Sequence, residues 1–407
     1  MKTVYIIAAG LLASLVISSQ FPASESVVAE AKRYFSDDEI SLGQTFSRDR
    51  RWIFWGNTTV QFLLLGLLAL TRFGSWLTER LGRFVGGRWL LHVAAVGAVY
   101  WIASWLLGLP FRIASFHLSR DYGMTTQPFE AWFNELLLHF AVATALEGVV
   151  FLGFYVLMRW FPRSWWAVAG VGSVAVGFGF AMILPEYIAP LFNTFTPLEQ
   201  TRWKSLAPRI RAIAEQADVS VGAIFVVDSS RQGGHSNAYF TGFGPTQKIV
   251  LFDTLLAKHG DDEVETIVAH EMGHWLERHI IKGILGGGLG LIVGLWLLHR
   301  HLRRFVDARE WSSAADPRGV GLVLLIGHLA FAATMPIQNV ISRHFERQAD
   351  QISLDLAKKP EAFIEAELNL ARFNKSNVAP SDWNVMLFST HPPVVERIRM
   401  AEDWRTR

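Results

Sequence analysis

Cysteine is absent from all 407 residues, which excludes disulfides, thiolate zinc sites and cysteine-ligated iron–sulfur clusters, and leaves the redox compartment unmarked. Charge is scarce: Asp, Glu, Lys and Arg make up 18% of the chain, against about 25% in soluble domains. A net charge of +2 offers no basic footprint for a nucleic-acid partner. Apolar residues take up the difference, at 51% of the chain with 16 Trp. This is the composition of a membrane protein, and any metal it holds must be bound through nitrogen and oxygen.

About seven segments read as membrane spans: Val4 to Ser18, Trp52 to Leu70, Trp89 to Leu107, Trp132 to Met158, Trp165 to Phe192, Ile280 to Leu298 and Gly319 to Ile341. The first, behind Met1-Lys2 and ahead of small residues near Ala23, reads as a retained helix, though a cleaved signal peptide has the same features. Trp52, Trp89, Trp132 and Trp165 open four of the spans, as interfacial anchors do. Glu135, His139 and Glu147 in the fourth would be costly against lipid, so they are expected to face a protein interior or a water-filled cavity. Gly286, Gly290 and Gly294 predict a smooth stripe for close helix contact in the sixth.

The most specific pattern is His270-Glu-Met-Gly-His274. On a helix, residues i and i+4 share a face, so both imidazoles can reach one metal, with Glu271 beside a water at the fourth position. Asp261, Asp262, Glu263, Glu265, Glu277 and Arg278 crowd this helix, which places it in water rather than at mid-membrane depth. Asp261 or Asp262 is expected as its N-cap, with Glu265 near the capping-box position. Catalytic helix and sixth span read as nearly continuous.

Between the fifth and sixth spans, Asn193 to His279 reads as a water-soluble insert. Leu198 to Ala217 is expected to be an amphipathic helix. Strands are expected at Ala223 to Val227, Asn237 to Gly242 and Lys248 to Phe252, the last two around Gly244-Pro245, with a helical turn at Thr254 to His259. Strands ahead of such a zinc helix let an edge strand hold a peptide extended across the metal. A catalytic zinc usually keeps three protein ligands. After the seventh span, Glu346 and Asp350 lie four apart on one helix face: Glu346 as the third ligand, and Asp350 as acceptor from a ligand imidazole, fixing its tautomer.

The pairing of HEMGH at 270 to 274 with FERQAD at 345 to 350, across two hydrophobic spans, resembles the type I CAAX prenyl endopeptidases, zinc proteases that process prenylated proteins. The run from Ile183 to Asn193, continuing through Glu199, His235-Ser-Asn-Ala-Tyr-Phe-Thr-Gly242 and His391-Pro-Pro with Glu396-Arg397 are similar to further motifs of that family. The resemblance implies a mostly α, polytopic protein of about seven membrane helices around a hydrated chamber, capped by a gluzincin-like zinc protease domain with a small β-sheet. It divides the chain into helices one to five (1–192), a first protease part (193–281), helices six and seven (282–342) and a second protease part (343–407). It also implies Asn237 and Ala238 as backbone binders of substrate, and His391 and Arg397 as donors near the reacting carbonyl.

These residues together predict a multi-pass membrane metalloendopeptidase with one Zn2+ per chain, in which Glu271 is the general base for a zinc-activated water. Its expected partners are the lipid bilayer and a peptide or protein, prenylated at a C-terminal cysteine or, alternatively, an unprenylated misfolded or stalled polypeptide. A reading from another class is a non-catalytic scaffold or transporter with structural zinc; Glu271 and the open fourth position argue against it, because structural zinc sites usually close with four protein ligands. On orientation two signals disagree. Arg72, Arg80, Arg83, Arg88, Arg159, Arg163, Arg300, Arg303, Arg304 and Arg309 in short connections would lie in the cytoplasm by the positive-inside tendency, opposite the zinc domain, whereas the family resemblance implies a cytosolic catalytic domain.

Overall fold

Ser36 opens the first long helix with a reciprocal cap: its hydroxyl accepts from the Glu39 N–H at 3.2 Å while the Glu39 carboxylate accepts from the Ser36 N–H at 2.8 Å. Asp37, Asp38 and Glu39 fill the first turn, so this helix starts in water well before Trp52. The computed structural model describes residues 10, 16–17, 20–242, 247–309 and 311–407. The Val4 to Ser18 span lies almost wholly outside the described residues, as does the Gly244-Pro245 turn.

The helices are α1 (Glu25–Ala31), α2 (Asp37–Leu70), α3 (Arg72–Phe84), α4 (Trp89–Asp121), α5 (Phe129–Trp160) and α6 (Trp165–Ile183), followed by a π-helical turn at Leu184–Ile188. The insert then supplies β1 (Phe195–Pro197), α7 (Leu206–Gln216), β2 (Ala223–Val227), β3 (Ala238–Thr241), β4 (Lys248–Phe252), α8 (Asp253–Lys258) and α9 (Asp261–Leu276). Next come α10 (His279–Ala308), α11 (Val320–Ala357), α12 (Pro360–Phe373), α13 (Asp382–Phe388) and α14 (Val394–Arg405). Six described helices are long and apolar enough to cross a membrane, and they match the second to seventh expected spans.

In α5, α6 and α10 only 6% of the apolar window is buried within the protein. A packed bundle would bury a whole stripe of each helix, so these three form a thin wall. The expected glycine stripe is not a contact: a Cβ at Gly286, Gly290 or Gly294 would meet open space. Close approach occurs instead between α6 and the other faces of α10, where Gly170 lies against Ile292, Gly177 against Ile284 and Gly288 against Val174. Two of the expected interfacial tryptophans serve the interior. Trp165 is fully buried and packs edge-on to His299 and Phe154, and the Trp89 indole donates to the Ala315 carbonyl at 2.9 Å. The polar groups of α5 find protein partners: Glu135 pairs with Arg231, His139 stacks on Phe192, and Glu147 accepts from the Trp101 indole at 2.7 Å.

The insert forms a four-stranded sheet in the order β1-β2-β4-β3, with β2 and β4 parallel and the outer pairs antiparallel. β1 was not expected from the sequence. The amphipathic helix is shorter than expected, beginning at Leu206, because Leu198–Gln200 forms a separate 3-10 turn that Thr201 closes by donating to the Leu198 carbonyl. Ile210, Ile224, Ile249, Leu251, Val268 and Met272 are buried together between the sheet, α7 and α9. At full burial such side chains each contribute about 1.5–3 kcal/mol, and together they fix α9 against β3, the exposed edge of the sheet.

Candidate active site

Gly260, not Asp261 or Asp262, is the N-cap of α9: its N–H donates to the Glu263 carboxylate at 3.2 Å. Both aspartates fall in the first turn, where the helix dipole favours them. Glu265 turns away to pair with Arg209 and Lys359. α9 ends at Leu276, and Arg278 adopts a left-handed conformation (φ 53°) that separates it from α10. The two helices are adjacent but not continuous.

α9 packs against α11 where Gly273 faces Ala349; a Cβ at Gly273 would lie 2.8 Å from the Ala349 Cα. This contact brings Glu346, one turn earlier on α11, to the two histidines of α9. His270 Nε2 and His274 Nε2 are 3.1 Å apart, His270 Nε2 is 3.3 Å from Glu346 Oε2, and His274 Nε2 is 3.5 Å from Glu346 Oε1. Three ligands at zinc bond lengths of about 2.0–2.1 Å on a tetrahedron would be ~3.3 Å from one another, so the triangle fits the metal. Glu346 Oε2 is also buried without a hydrogen-bond partner, as an atom intended for a cation would be. The nitrogen and oxygen donor set suits a catalytic rather than a thiolate-bound structural zinc.

The ligands are oriented by a surrounding layer. Asp350, fully buried, lies 2.8 Å from His270 Nδ1 and receives two hydrogen bonds from Arg397 at 2.8 and 2.5 Å. Arg397 also pairs with buried Glu367 at 2.5 Å. Three of the five Arg397 N–H donors are thus directed at carboxylates. Its guanidinium sits behind His270, and Arg397 also lines the small cavity at Glu271 together with His391, Asn237 and Ala238. Around His274 the structure adds residues that sequence reasoning missed. His274 Nδ1 is 2.9 Å from His279 Nδ1, and His279 Nε2 is 3.1 Å from Gln348 Oε1. For His274 to offer Nε2 to a metal, its Nδ1 must carry the proton; His279 then accepts it at Nδ1 and donates from Nε2 to Gln348. Gln348 lay within a motif already quoted, as the fourth residue of FERQAD, whereas His279 lies five residues beyond His274, outside the quoted motifs.

Electrostatics divide the two imidazoles. Burial alone would lower His270, but the Asp350 and Glu346 carboxylates beside it outweigh this and raise it to about 10. Burial and the charge on His270 push His274 down to about 4. Besides Arg397, the Asp350 and Glu346 carboxylates thus favour a cation at this position. Burial, with Glu346 nearby, raises Glu271 to about 7. The backbone N–H of Phe240, on edge strand β3, points to the Glu271 carboxylate. Asn237 leads into β3, its carbonyl accepting from the Phe252 N–H at 3.1 Å, and Ala238 pairs with Leu251. His391, on the loop before α14, places Nε2 3.3 Å from Glu346 Oε2.

Six apolar helices long enough to cross a membrane, together with a converged His-His-Glu set and a buried acid beside it, define a membrane metallopeptidase. Residues 200–405 match the model of Peptidase family M48, and residues 20–194 match the model described as CAAX prenyl protease N-terminal, five membrane helices. The chain belongs to peptidase family M48. It is 27% identical to the uncharacterized metalloprotease YhfN of Bacillus subtilis over 92% of this chain and 88% of that protein. It is 29% identical to CAAX prenyl protease 1 of Saccharomyces cerevisiae over 72% of this chain and 68% of that one. The crystal structure of S. mikatae Ste24p shares the fold, with a TM-score of 0.80 over 98% of both chains at 23% identity.

Proposed function

We propose that this multi-pass membrane metalloprotease is a zinc endopeptidase of the CAAX prenyl protease type. Residues 193–281 and 343–407 form its catalytic unit, and 1–192 and 282–342 its membrane part. The observation that carries the reading is the convergence of His270, His274 and Glu346 to within 4.8 Å, with Glu271 and the edge of β3 beside them. One zinc ion, when bound by these three residues, supplies a Lewis acid that acidifies water and polarises a peptide carbonyl. A substrate added as a further strand to β3 is held along its main chain by Asn237 and Ala238. Glu271 removes a proton from the attacking water and delivers it to the departing amine; a carboxyl raised towards neutrality suits both transfers. His391 donates to the carbonyl oxygen as negative charge develops there, an effect of about 100- to 1,000-fold. Arg397 acts through Asp350, holding the tautomer and position of His270.

The test is mass spectrometry of the products from one peptide in prenylated and unprenylated forms. The expected result is cleavage next to the prenylated cysteine, lost in Glu271→Gln although that protein still binds zinc. Equal cleavage of the unprenylated form would transfer the assignment to a protease of misfolded or stalled polypeptides. Wild-type turnover by Glu271→Gln would refute the mechanism.

A further inference from the structure

The link between the spans α2 and α4 is a helix, α3, with two unlike sides. Thr71 leaves the path of α2 in an extended conformation and caps α3, its hydroxyl accepting from the Gly74 N–H at 3.4 Å. At about 3.6 residues per turn, Gly74, Thr78 and Gly82 fall on one side, and that side is buried. A Cβ at Gly74 would run into the Leu68 carbonyl and one at Gly82 into the His92 ring, while the Thr78 carbonyl lies 2.7 Å from His92 Nε2. The outer side carries Phe73, Trp76, Arg80 and Phe84. The Phe73 and Trp76 rings lie 5.7 Å apart, and Phe73, Trp76 and Phe84 are 46%, 54% and 88% exposed.

Charge of one sign surrounds this side. Residues 71–88 hold Arg72, Arg80, Arg83 and Arg88 against one acid, Glu79. All four arginines are exposed, and none pairs with a carboxylate among the described residues. The ends of the neighbouring spans extend the pattern. Ala69, Trp89, Met158, Trp165, Leu302 and Val320 belong to one buried cluster, which sets the α5–α6 and α10–α11 connections at the same end of the bundle as α3. These connections add exposed Arg159, Arg163, Arg300, Arg303 and Arg304, with Trp160 and Phe161 exposed between them. Arg159 lies over the Trp89 ring at 4.4 Å, and the buried acid of the region, Asp316, is taken by Arg318 at 2.7 Å. A helix wholly in water gains nothing from three exposed aromatic rings, and one wholly in hydrocarbon could not carry four unpaired arginines. The headgroup layer accommodates both.

We propose that the outer side of α3 is a binding surface for anionic phospholipid headgroups, with Phe73, Trp76 and Phe84 inserted at the acyl boundary and Arg72, Arg80, Arg83 and Arg88 on the phosphates. Guanidinium forks hold phosphate oxygens through paired, charge-assisted hydrogen bonds. A zwitterionic lipid brings its own ammonium group up to the same arginines, so the surface selects lipids whose headgroup carries a net negative charge. Arg80 lies among the aromatic rings, which couples the depth of insertion to the capture of a headgroup. The inference goes beyond the peptidase reading and concerns the membrane part whatever the catalytic unit cleaves.

Because the chain has no cysteine, one introduced thiol labels a chosen site in the full-length, zinc-loaded protein. An environment-sensitive fluorophore is attached at Phe84→Cys on the outer side, or at Ser75→Cys, exposed and away from the aromatic rings, in nanodiscs of phosphatidylcholine mixed with phosphatidylglycerol. A lipid spin-labelled at headgroup depth is expected to quench the label at 84 strongly and the label at 75 weakly. The unlabelled protein in detergent is then titrated with fluorescent phosphatidylglycerol and with its phosphatidylcholine counterpart. Each arginine near an anionic surface is worth about fivefold in affinity, so phosphatidylglycerol should bind at least about tenfold more tightly. That ratio should fall towards one in R80Q/R83Q and be kept in R80K/R83K, which preserves the charge. Equal binding of the two lipids by the parent overturns the proposal, as does a preference unchanged in R72Q/R80Q/R83Q/R88Q, which would place the lipid elsewhere. A label at 84 that lipid does not quench, but that a dimer of the protein shields, overturns it in favour of a second copy on this face.

Discussion

Replacing Gly273 by alanine adds one methyl group at the tightest point between the two helices that carry the metal ligands. That carbon would lie 2.8 Å from the Ala349 Cα and 3.1 Å from its carbonyl oxygen, both backbone atoms that cannot rotate away. Ordinary carbon–carbon contact is about 3.5–4.0 Å, so α11 must retreat from α9 by roughly 0.7 Å. Glu346 lies one turn from Ala349 on the same helix and moves with it, whereas metal–ligand distances are held to within about 0.2 Å. Overpacking of this kind costs about 1–3 kcal/mol in stability. Zinc affinity of Gly273→Ala, measured by competition with a chromogenic chelator, is expected to fall at least about tenfold, the scale seen when ligand orientation is disturbed. A Gly273→Ala protein that folds and holds zinc as tightly as the parent would show that the α9–α11 contact does not set the triangle.

Three further outcomes follow from the same geometry. Glu271 must be ionised to accept a proton, so kcat/KM should rise with pH through its pKa; burial raises that value to about 7 and a nearby cation lowers it, placing the acid limb at or below 7. A flat pH profile from pH 5 upward would contradict its role as base. His279→Ala should lower zinc affinity by about 10- to 100-fold, with Gln348→Ala in the same direction and Gln348→Glu, which keeps an acceptor, closer to the parent. Arg397→Met leaves buried Asp350 and Glu367 facing each other without their shared cation, and should reduce stability by about 3–5 kcal/mol, read as a lower melting temperature in detergent.

Helix faces and ligand spacing were legible in the sequence because they depend on local periodicity. His270 and His274, four apart, and Glu346 and Asp350, four apart, could be assigned to common faces before any fold was known, and β2 and β4 were recognisable as short runs of Val, Ile and Phe. Contacts between distant segments were less accessible. Gly286, Gly290 and Gly294 form a perfect stripe in the sequence, but spacing cannot say which face of α10 meets α6, and the packed glycines are Gly170, Gly177 and Gly288. Trp165 looked like an anchor because position in the sequence does not reveal burial. Arg397 could be linked to the site only through the resemblance; its role as the cation between Asp350 and Glu367 needed α11, α12 and α14 to be brought together.

The continuity of α11 differs in kind from the connection on the other side of the site. From Val320 to Ala357 one helix, with Pro336 inside it, carries both an apolar span and Glu346, whereas the left-handed Arg278 interrupts the path from α9 into α10. A helix transmits displacement along its axis because its residues are tied by successive hydrogen bonds, of which Pro336 removes one from α11, while a single residue with φ of 53° ends the helical path altogether. The position of Glu346 is therefore coupled to packing in the membrane, and that of His270 and His274 is coupled mainly to the sheet through the Ile249, Val268 and Met272 core. Substitutions that loosen α11 from α2, such as enlarging Gly321 where it meets the Leu68–Ala69 backbone, should weaken zinc binding although they lie two helical spans' worth of sequence from His270. Matching changes at Gly286 or Gly290, where there is open space, should leave zinc binding at the parent value. If both sets behaved alike in the same chelator competition, the metal triangle would have to be independent of the membrane helices.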